Sequence, residues 1–282
     1  MNSRRKFIKT GLTGITGLQF LPAINAFSEQ NPVPAKTSEK FKLRFAIASD
    51  GHYGQPGTDS DLFYSDLVKW LRKEHQESHL DMVIINGDLV HDRPDLLKKV
   101  KGSYLDKLPV PCYTVPGNHD FADAALWKSV FGYEDKFVIE KGDIGLVFAN
   151  TADTKGNYLC PDYNFLKTSL DKFRDKKMVF VVLHIAPFQW MADEQKIFLD
   201  CPDIIKLLHS YSNIKAVFHG HDHSLDSIRY TGKLPHLFDA HFGGNWGTAY
   251  KGYRIVEITA DNIVSTYQVN ASRNPKLNTN KL

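Results

Sequence analysis

The chain has 282 residues, 42% hydrophobic and 24% charged, with Lys+Arg 35 against Asp+Glu 32 for a formal charge of +3. This is ordinary globular composition, which excludes a disordered or collagen-like chain, and so slight a basic excess gives no electrostatic footprint for nucleic acid. Beyond residue 40 no Pro/Gly/Ser-rich linker interrupts the sequence, so one domain of about 240 residues is the simplest organisation. Aspartate outnumbers glutamate 24 to 8 and histidine occurs 12 times. Short carboxylates and imidazoles suit metal sites, turns and caps better than solvated helix faces. Cys112, Cys160 and Cys201 are too few and too scattered for a disulfide framework or zinc knuckle, and read as small buried apolar residues.

Residues 1–26 start basic (Arg4, Arg5, Lys6, Lys9) and continue in a moderately apolar, charge-free run from Thr10 to Asn25. That is the layout of an export signal, and the run is too short and too rich in Gly and Thr for a membrane span, which needs about 20 mostly apolar residues. Ser3-Arg4-Arg5-Lys6-Phe7-Ile8-Lys9 resembles the twin-arginine signal motif, with Ile24-Asn25-Ala26 as a small-residue cleavage site. The expectation is an exported, periplasmic protein that meets the twin-arginine export machinery and has no stable membrane span in its mature form. No acidic residue precedes Glu29, so cleavage leaves 31 Lys+Arg against 32 Asp+Glu, a near-neutral mature chain. Residues 27–40 read as a flexible lead-in, 41–270 as the folded domain and 271–282 as a polar tail.

In chain order, short β-branched or aromatic runs predict strands at Leu43 to Ala48, Met82 to Ile85, Cys112 to Val115, Ile144 to Ala149, Met178 to Leu183 and Ile214 to Phe218. Helical spacing predicts helices over Asp61 to Glu77, Pro94 to Leu108, Ala122 to Phe131, Tyr163 to Arg174 and Pro202 to Tyr211, with Pro94 and Pro202 at helix starts. Leu234 to Ala240, Tyr253 to Thr259 and Ile263 to Val269 follow as strands without helices between them, which predicts antiparallel hairpins at the end of an α/β fold with two stacked sheets.

Polar residues cluster after these strands: Asp50-Gly51-His52, Gly87-Asp88, Gly117-Asn118-His119-Asp120, His184, and Gly220-His221-Asp222-His223. Open α/β sheets bind ligands at the carboxyl ends of their strands, so the five groups are expected to meet at one edge. All residue types there except Gly ligate metals through oxygen or imidazole nitrogen. Asp-x-His alone is uninformative, since a second copy stands at Asp239-Ala240-His241. Gly-Asn-His-Asp has a chance expectation on the order of 0.004 in this composition, and its appearance in order with Gly-His-x-His is a strong signal.

The ordered set resembles the calcineurin-like metallophosphoesterase superfamily, whose blocks are D-x-H, G-D, G-N-H-[DE], a lone His, and G-H-x-H. The resemblance spans Asp50 to His223. It implies a four-layer fold, a two-sheet β-sandwich flanked by helices, and a centre with two metal ions. By the same resemblance Asp50, His52 and His223 bind one ion, Asn118, His184 and His221 the other, Asp88 bridges both, and His119 is the catalytic histidine beside the substrate. Protein-phosphatase relatives continue the second block as G-D-x-x-D-R-G, whereas here the run is Gly87-Asp88-Leu89-Val90-His91-Asp92-Arg93-Pro94. His91 stands where those relatives have the Asp that orients the catalytic His, so the orienting pair is either made differently or missing. Purple acid phosphatases carry a Tyr ligand here and no His in the first block; His52 argues against that branch.

Two ions about 3.5 to 4 Å apart hold a bridging hydroxide and clamp phosphate oxygens for in-line attack. The expected activity is therefore hydrolysis of small phosphomonoesters or phosphodiesters, with nucleotides or cyclic nucleotides as a narrower version resting on the resemblance. The alternative is a non-catalytic metal-containing binding protein on the same fold; a metallohydrolase acting on other bonds also stays open. Mixed N/O ligation without sulfur suits Mn, Fe or Zn. Tyr53, Arg93, Trp190 and Trp246 are the candidate substrate contacts, with Phe121, Phe188, Tyr250 and Lys251 nearby in sequence, and Asp239 and His241 candidates for supporting the ligands.

Overall fold

The computed structural model describes residues 41–191, 197–239 and 241–272. The expected export signal, the whole lead-in and residues 273–282 of the expected tail lie outside the described residues.

The long apolar runs form strands because each is buried on both faces, as expected for parallel strands covered by helices. The first sheet contains β1 (Leu43–Ala48), β2 (Met82–Asn86) and β3 (Cys112–Val115), with β10 (Gly252–Ile258) and β11 (Val264–Asn270) on the other side, in the order β11-β10-β1-β2-β3. β1, β2 and β3 run parallel, and the β10–β11 hairpin is antiparallel to β1. In the second sheet β4 (Phe137–Lys141), β5 (Ile144–Ala149), β6 (Met178–Leu183), β7 (Ile214–His219), β8 (Ser227–Thr231) and β9 (Leu234–Phe238) are ordered β4-β5-β6-β7-β9-β8. Its four inner strands are parallel, and its edge strands β4 and β8 antiparallel.

Strand alternation then sorts the side chains into layers. Leu43, Phe45 and Ile47 of β1 face the second sheet and pack with Met82, Ile84, Phe148, Phe180 and Phe218. Ala46 and Ala48 point the other way, against α1 (Ser60–Glu77), α2 (Leu97–Ser103) and α3 (Ala124–Phe131). The outer face of the second sheet is covered by α4 (Tyr163–Lys172) and α5 (Pro202–His209). The result is the expected four-layer sandwich.

Asp59, Asp123 and Asp162 cap α1, α3 and α4, each accepting a backbone N–H of the first turn, which accounts for part of the aspartate excess. Pro94 and Pro202 stand at helix starts as expected. The helix expected over Pro94 to Leu108 is instead a 3-10 turn at Pro94–Leu96, α2, and a second 3-10 turn at Leu105–Lys107. Gly102 weakens that segment, and its buried contacts come only from Leu97, Val100, Tyr104, Leu105 and Leu108. Among the described residues no helix is long and apolar enough to cross a membrane.

The cysteines differ from expectation. Cys160 and Cys201 form a disulfide, 41 residues apart in sequence with Cα atoms 5.9 Å apart, and Cys112 is the half-buried free thiol. The fold brings the segment after β5 against the start of α5, a proximity that spacing does not encode. Phe45 is fully buried between Phe180 and Phe218, with ring centroids 6.0 and 6.2 Å away. Phe45→Ala is expected to lower unfolding free energy by about 3 to 5 kcal/mol in denaturant titrations, because the two sheets cannot close on the void; a loss below about 1 kcal/mol would mean this layer is not close-packed.

Candidate metal centre

Both sheets deliver donors to one edge. Asp50 and His52 follow β1, Asp88 follows β2, Asn118 and His119 follow β3, His184 follows β6, and His221 and His223 follow β7. The chain must turn sharply off each strand, and it does so in a costly conformation. Asp50, His52, Asp88, Asp92, Phe121 and His221 all have positive φ, between 44° and 67°, leaving Asn262 as the one other such non-Gly residue among those described. Non-glycine residues reach this region at a cost of about 1 to 3 kcal/mol each and persist where the surroundings over-determine them, typically at functional sites. Gly87 (φ +79°) is needed on two counts, since a Cβ there would also collide with the His184 ring.

Two carboxylate-containing clusters of donor atoms result, Asp50, His52 and His223, and Asp88, His184 and His221, and His52, His91 and His119 form a third, all-imidazole group. Asp88 Oδ2 lies 3.2 Å from His184 Nε2 and 3.5 Å from His52 Nε2, so one carboxylate oxygen faces both clusters. His223 Nε2 is 3.2 Å from Asp50 Oδ1 and 2.9 Å from His52 Nε2.

Each carboxylate commits one oxygen to the protein and offers the other. Asp50 Oδ2 accepts from Ser49 Oγ and the His221 N–H, and Asp88 Oδ1 accepts from the His119 N–H at 2.8 Å. The imidazoles behave alike. His184 Nδ1 donates to the Asn86 carbonyl (2.6 Å) and His223 Nδ1 to the Trp246 carbonyl (3.3 Å), which turns Nε2 of each ring into the site. His52 Nδ1 meets His91 Nδ1 at 3.0 Å, and His221 Nε2 meets the Tyr158 hydroxyl at 2.8 Å.

Burial makes the offered atoms expensive to leave alone. Asp50 and His184 are fully buried, and Asp50 Oδ1, Asn118 Oδ1 and His184 Nε2 make no aligned hydrogen bond. A buried polar atom without a partner costs about 1 to 3 kcal/mol, more when charged. Burial opposes ionisation of Asp50 and Asp88, but the neighbouring imidazoles outweigh it and hold both carboxyls below the usual range. His184 is likewise resisted by burial yet pushed up to about 9 by Asp88 and Asp50, while burial pulls His52 down to about 4 and His221 to about 3. Orphaned oxygens and imidazole nitrogens converging without sulfur are the donor set of first-row divalent ions, so these residues fit a pair of metals.

His119 stands beside the clusters, partly exposed, and its Nδ1 lies 2.7 Å from Asp92 Oδ1. The orienting pair is therefore made differently from the protein-phosphatase pattern. With Asp92 in a left-handed conformation, the extra residue is absorbed and its carboxylate reaches His119. His91 stacks on His119, centroids 4.6 Å apart, and faces His52 with its Nδ1. The sequence carried a signal for Asp92 in its distance from Asp88; for Tyr158, far from any motif, it carried none.

The candidate substrate contacts scatter. Trp246 stacks flat on His223, centroids 4.0 Å apart, and is 42% exposed. Tyr53 is buried, with its hydroxyl on Asp61 and its ring against Tyr64 and Tyr104. Arg93 pairs with Asp95 on the surface, and Trp190 packs on Phe238. Phe188 lies against His236, and Tyr250 donates to Asp226. His241 stacks behind His223, whereas Asp239 is bound by Arg254.

Lys251 anchors the loop that carries Trp246. Its Nζ, buried over the Phe63 ring, donates to the carbonyls of Gly243 and Gly244, and burial lowers its pKa to about 7. The unfolded chain therefore binds the extra proton between about pH 7 and 10.5, so stability rises with pH across that window and is lost as pH falls through 7. Lys251→Met is expected to flatten that rise, which has a limiting slope of about 1.4 kcal/mol per pH unit; denaturant unfolding at several pH values checks it, and an unchanged slope contradicts it.

The model of the calcineurin-like phosphoesterase family matches residues 43–225. The chain is 25% identical over 197 residues to a probable cyclic nucleotide phosphodiesterase of Coxiella burnetii, spanning 67% of this chain and 79% of that one. Its fold is similar to that of a dimetal phosphatase of Danio rerio, with TM-score 0.67, 13% identity and coverage of 83% of this chain and 98% of the other. It is also similar to a protein of Thermus thermophilus, with TM-score 0.55, 12% identity and coverage of 83% and 100%. The family match takes in every strand-end loop that supplies a donor to the two clusters, and the chain belongs to the calcineurin-like phosphoesterase family of metal-dependent phosphoester hydrolases.

Proposed function

We propose that this chain is an exported hydrolase of small phosphodiesters or phosphomonoesters, with a cyclic nucleotide as the substrate best supported. The observation that carries the reading is Asp88 Oδ2 shared between two buried donor clusters, with the His119–Asp92 pair beside them. Asp50, His52, His223 and Asp88 would hold one ion, and Asp88, Asn118, His184 and His221 the other. Mn, Fe or Zn suit the donors. When bound, such a pair supplies Lewis acidity to the phosphate oxygens and to the attacking water.

The chain's own residues do the rest. Asp92 accepts the Nδ1 proton of His119 and fixes the ring, so that Nε2 is the atom free to donate a hydrogen bond to the phosphoryl group or a proton to the leaving alkoxide. Neutral Asn118 adds an oxygen without adding charge, which leaves the site net attractive to phosphate. Trp246, one face on His223 and the other open, offers a flat surface for a planar group such as a nucleobase. The cyclic-nucleotide reading draws on that surface and on the relative from Coxiella burnetii. Export draws on the twin-arginine-like start and on the Cys160–Cys201 disulfide, a bond that persists in oxidising compartments.

Metal analysis of the purified protein, followed by parallel assays on an aryl phosphomonoester, an aryl phosphodiester and 3′,5′-cyclic nucleotides with and without chelator, tests the reading. Two equivalents of metal and chelator-sensitive turnover are expected; two metals without turnover on any phosphate ester would favour a binding protein. His119→Ala is expected to lower kcat by about 10²- to 10⁴-fold with metal content unchanged. Loss of metal in that variant would give His119 a ligand's role instead. Asp92→Asn keeps the ring but weakens its anchor, and its kcat is expected to fall between those of the wild type and His119→Ala.

A further inference from the structure

One turn touches His221 and Asn118 of the second cluster and the residue that follows His184. After β5 the chain folds back on itself over residues 151–159, closed by the Leu159 N–H donating to the Thr151 carbonyl (2.9 Å) and by a bridge between Ala152 and Tyr158. Asp153 ties its interior by accepting from the N–H groups of Lys155 and Asn157. Three contacts run from this turn to the site. The Tyr158 hydroxyl lies 2.8 Å from His221 Nε2, the rings being perpendicular. Gly156, at φ +78°, sits where a Cβ would come within 2.7 Å of the Asn118 carbonyl oxygen. Thr151 Oγ1 accepts from the N–H of Ile185, next to His184. Cys160, immediately beyond the turn, is bonded to Cys201 at the start of α5, whose own N–H donates to the Pro187 carbonyl after β6.

We propose that Tyr158 is a positioning residue for the second metal-binding cluster, and that the Cys160–Cys201 crosslink clamps its turn so that this cluster, and not the first, depends on the disulfide for full affinity. The inference rests on the two-metal reading above. With Nε2 engaged by Tyr158, Nδ1 is the nitrogen of His221 left to hold an ion; its proton must then sit on Nε2, from which the Tyr158 oxygen accepts. Removing that oxygen frees the ring to rotate and releases the tautomer. Partners of this kind are worth about 10- to 100-fold in metal affinity. The first cluster has its own supports, His91 behind His52 and the Trp246 carbonyl behind His223, none of which touches the turn.

The experiment is calorimetric titration of metal-free full-length protein with Mn²⁺, comparing wild type, Tyr158→Phe and the double variant Cys160→Ser/Cys201→Ser. The wild type is expected to show two classes of site. In Tyr158→Phe one class weakens by about 10- to 100-fold while the other stays within about twofold, which also reports that the fold is intact. The double variant is expected to weaken the same class by a smaller factor. Unchanged affinities in Tyr158→Phe, or equal weakening of both classes, would overturn the proposal. A wild type that binds a single ion would overturn the two-metal reading itself, and so identify which of the two had failed.

Discussion

Two carboxylates, Asp50 and Asp88, are buried at the ends of adjacent parallel strands, and the arrangement around them follows from the cost of keeping them there. Burial takes them out of bulk solvent, so each charge has to be met by protein or by cation. Each carboxylate gives one oxygen to a backbone N–H and leaves the other facing imidazoles. Those imidazoles are turned toward the carboxylates by hydrogen bonds on their far nitrogens. A centre of this kind is stable only when positive charge fills it, and the same residual positive field attracts a phosphate. With Lys+Arg 35 against Asp+Glu 32 the chain carries little net charge, so that attraction belongs to the centre and not to the molecular surface.

The backbone bears part of the cost. Left-handed residues cluster in the strand-end loops, and the loops are held against relaxation by a buried scaffold. Asp120, a carboxylate next to His119, accepts from the N–H groups of Gly117 and Val90 and locks two loops together. Burial pushes its pKa up to about 7. Lys251 does the corresponding job for the 241–251 loop, and the Cys160–Cys201 bond for the turn that carries Tyr158. Strain at the ligands and cross-ties behind them are two sides of one requirement: donors placed to within a fraction of an ångström on segments that are not helix or strand.

Much of this was legible in the sequence. Central strands such as β1, β5 and β6 announce themselves because burial on both faces demands unbroken apolar runs. β4 and β8 do not, since as edge strands they are half exposed and their sequences, FVIEK and SIRYT, mix polar with apolar. The ligand motifs were readable for a similar reason, as each donor is tied to its own strand end and each strand keeps its order. Tyr53 shows the limit. Its place next to His52 suggested a wall of the site, yet strand-end geometry sends adjacent side chains in opposite directions, and its ring went to the core with Tyr64 and Tyr104.

By itself the sequence determined an α/β fold with two stacked sheets and polar groups gathered at strand ends, because these are properties of local patterns, and its resemblance to a known family supplied the four-layer arrangement and the class of chemistry. Only the tertiary structure decided which carboxylate orients His119, what stands behind His52 and His221, that Trp246 covers His223, and that Cys160 meets Cys201. These are contacts between segments tens of residues apart whose approach is set by two sheets packing on each other, and no local pattern records that packing.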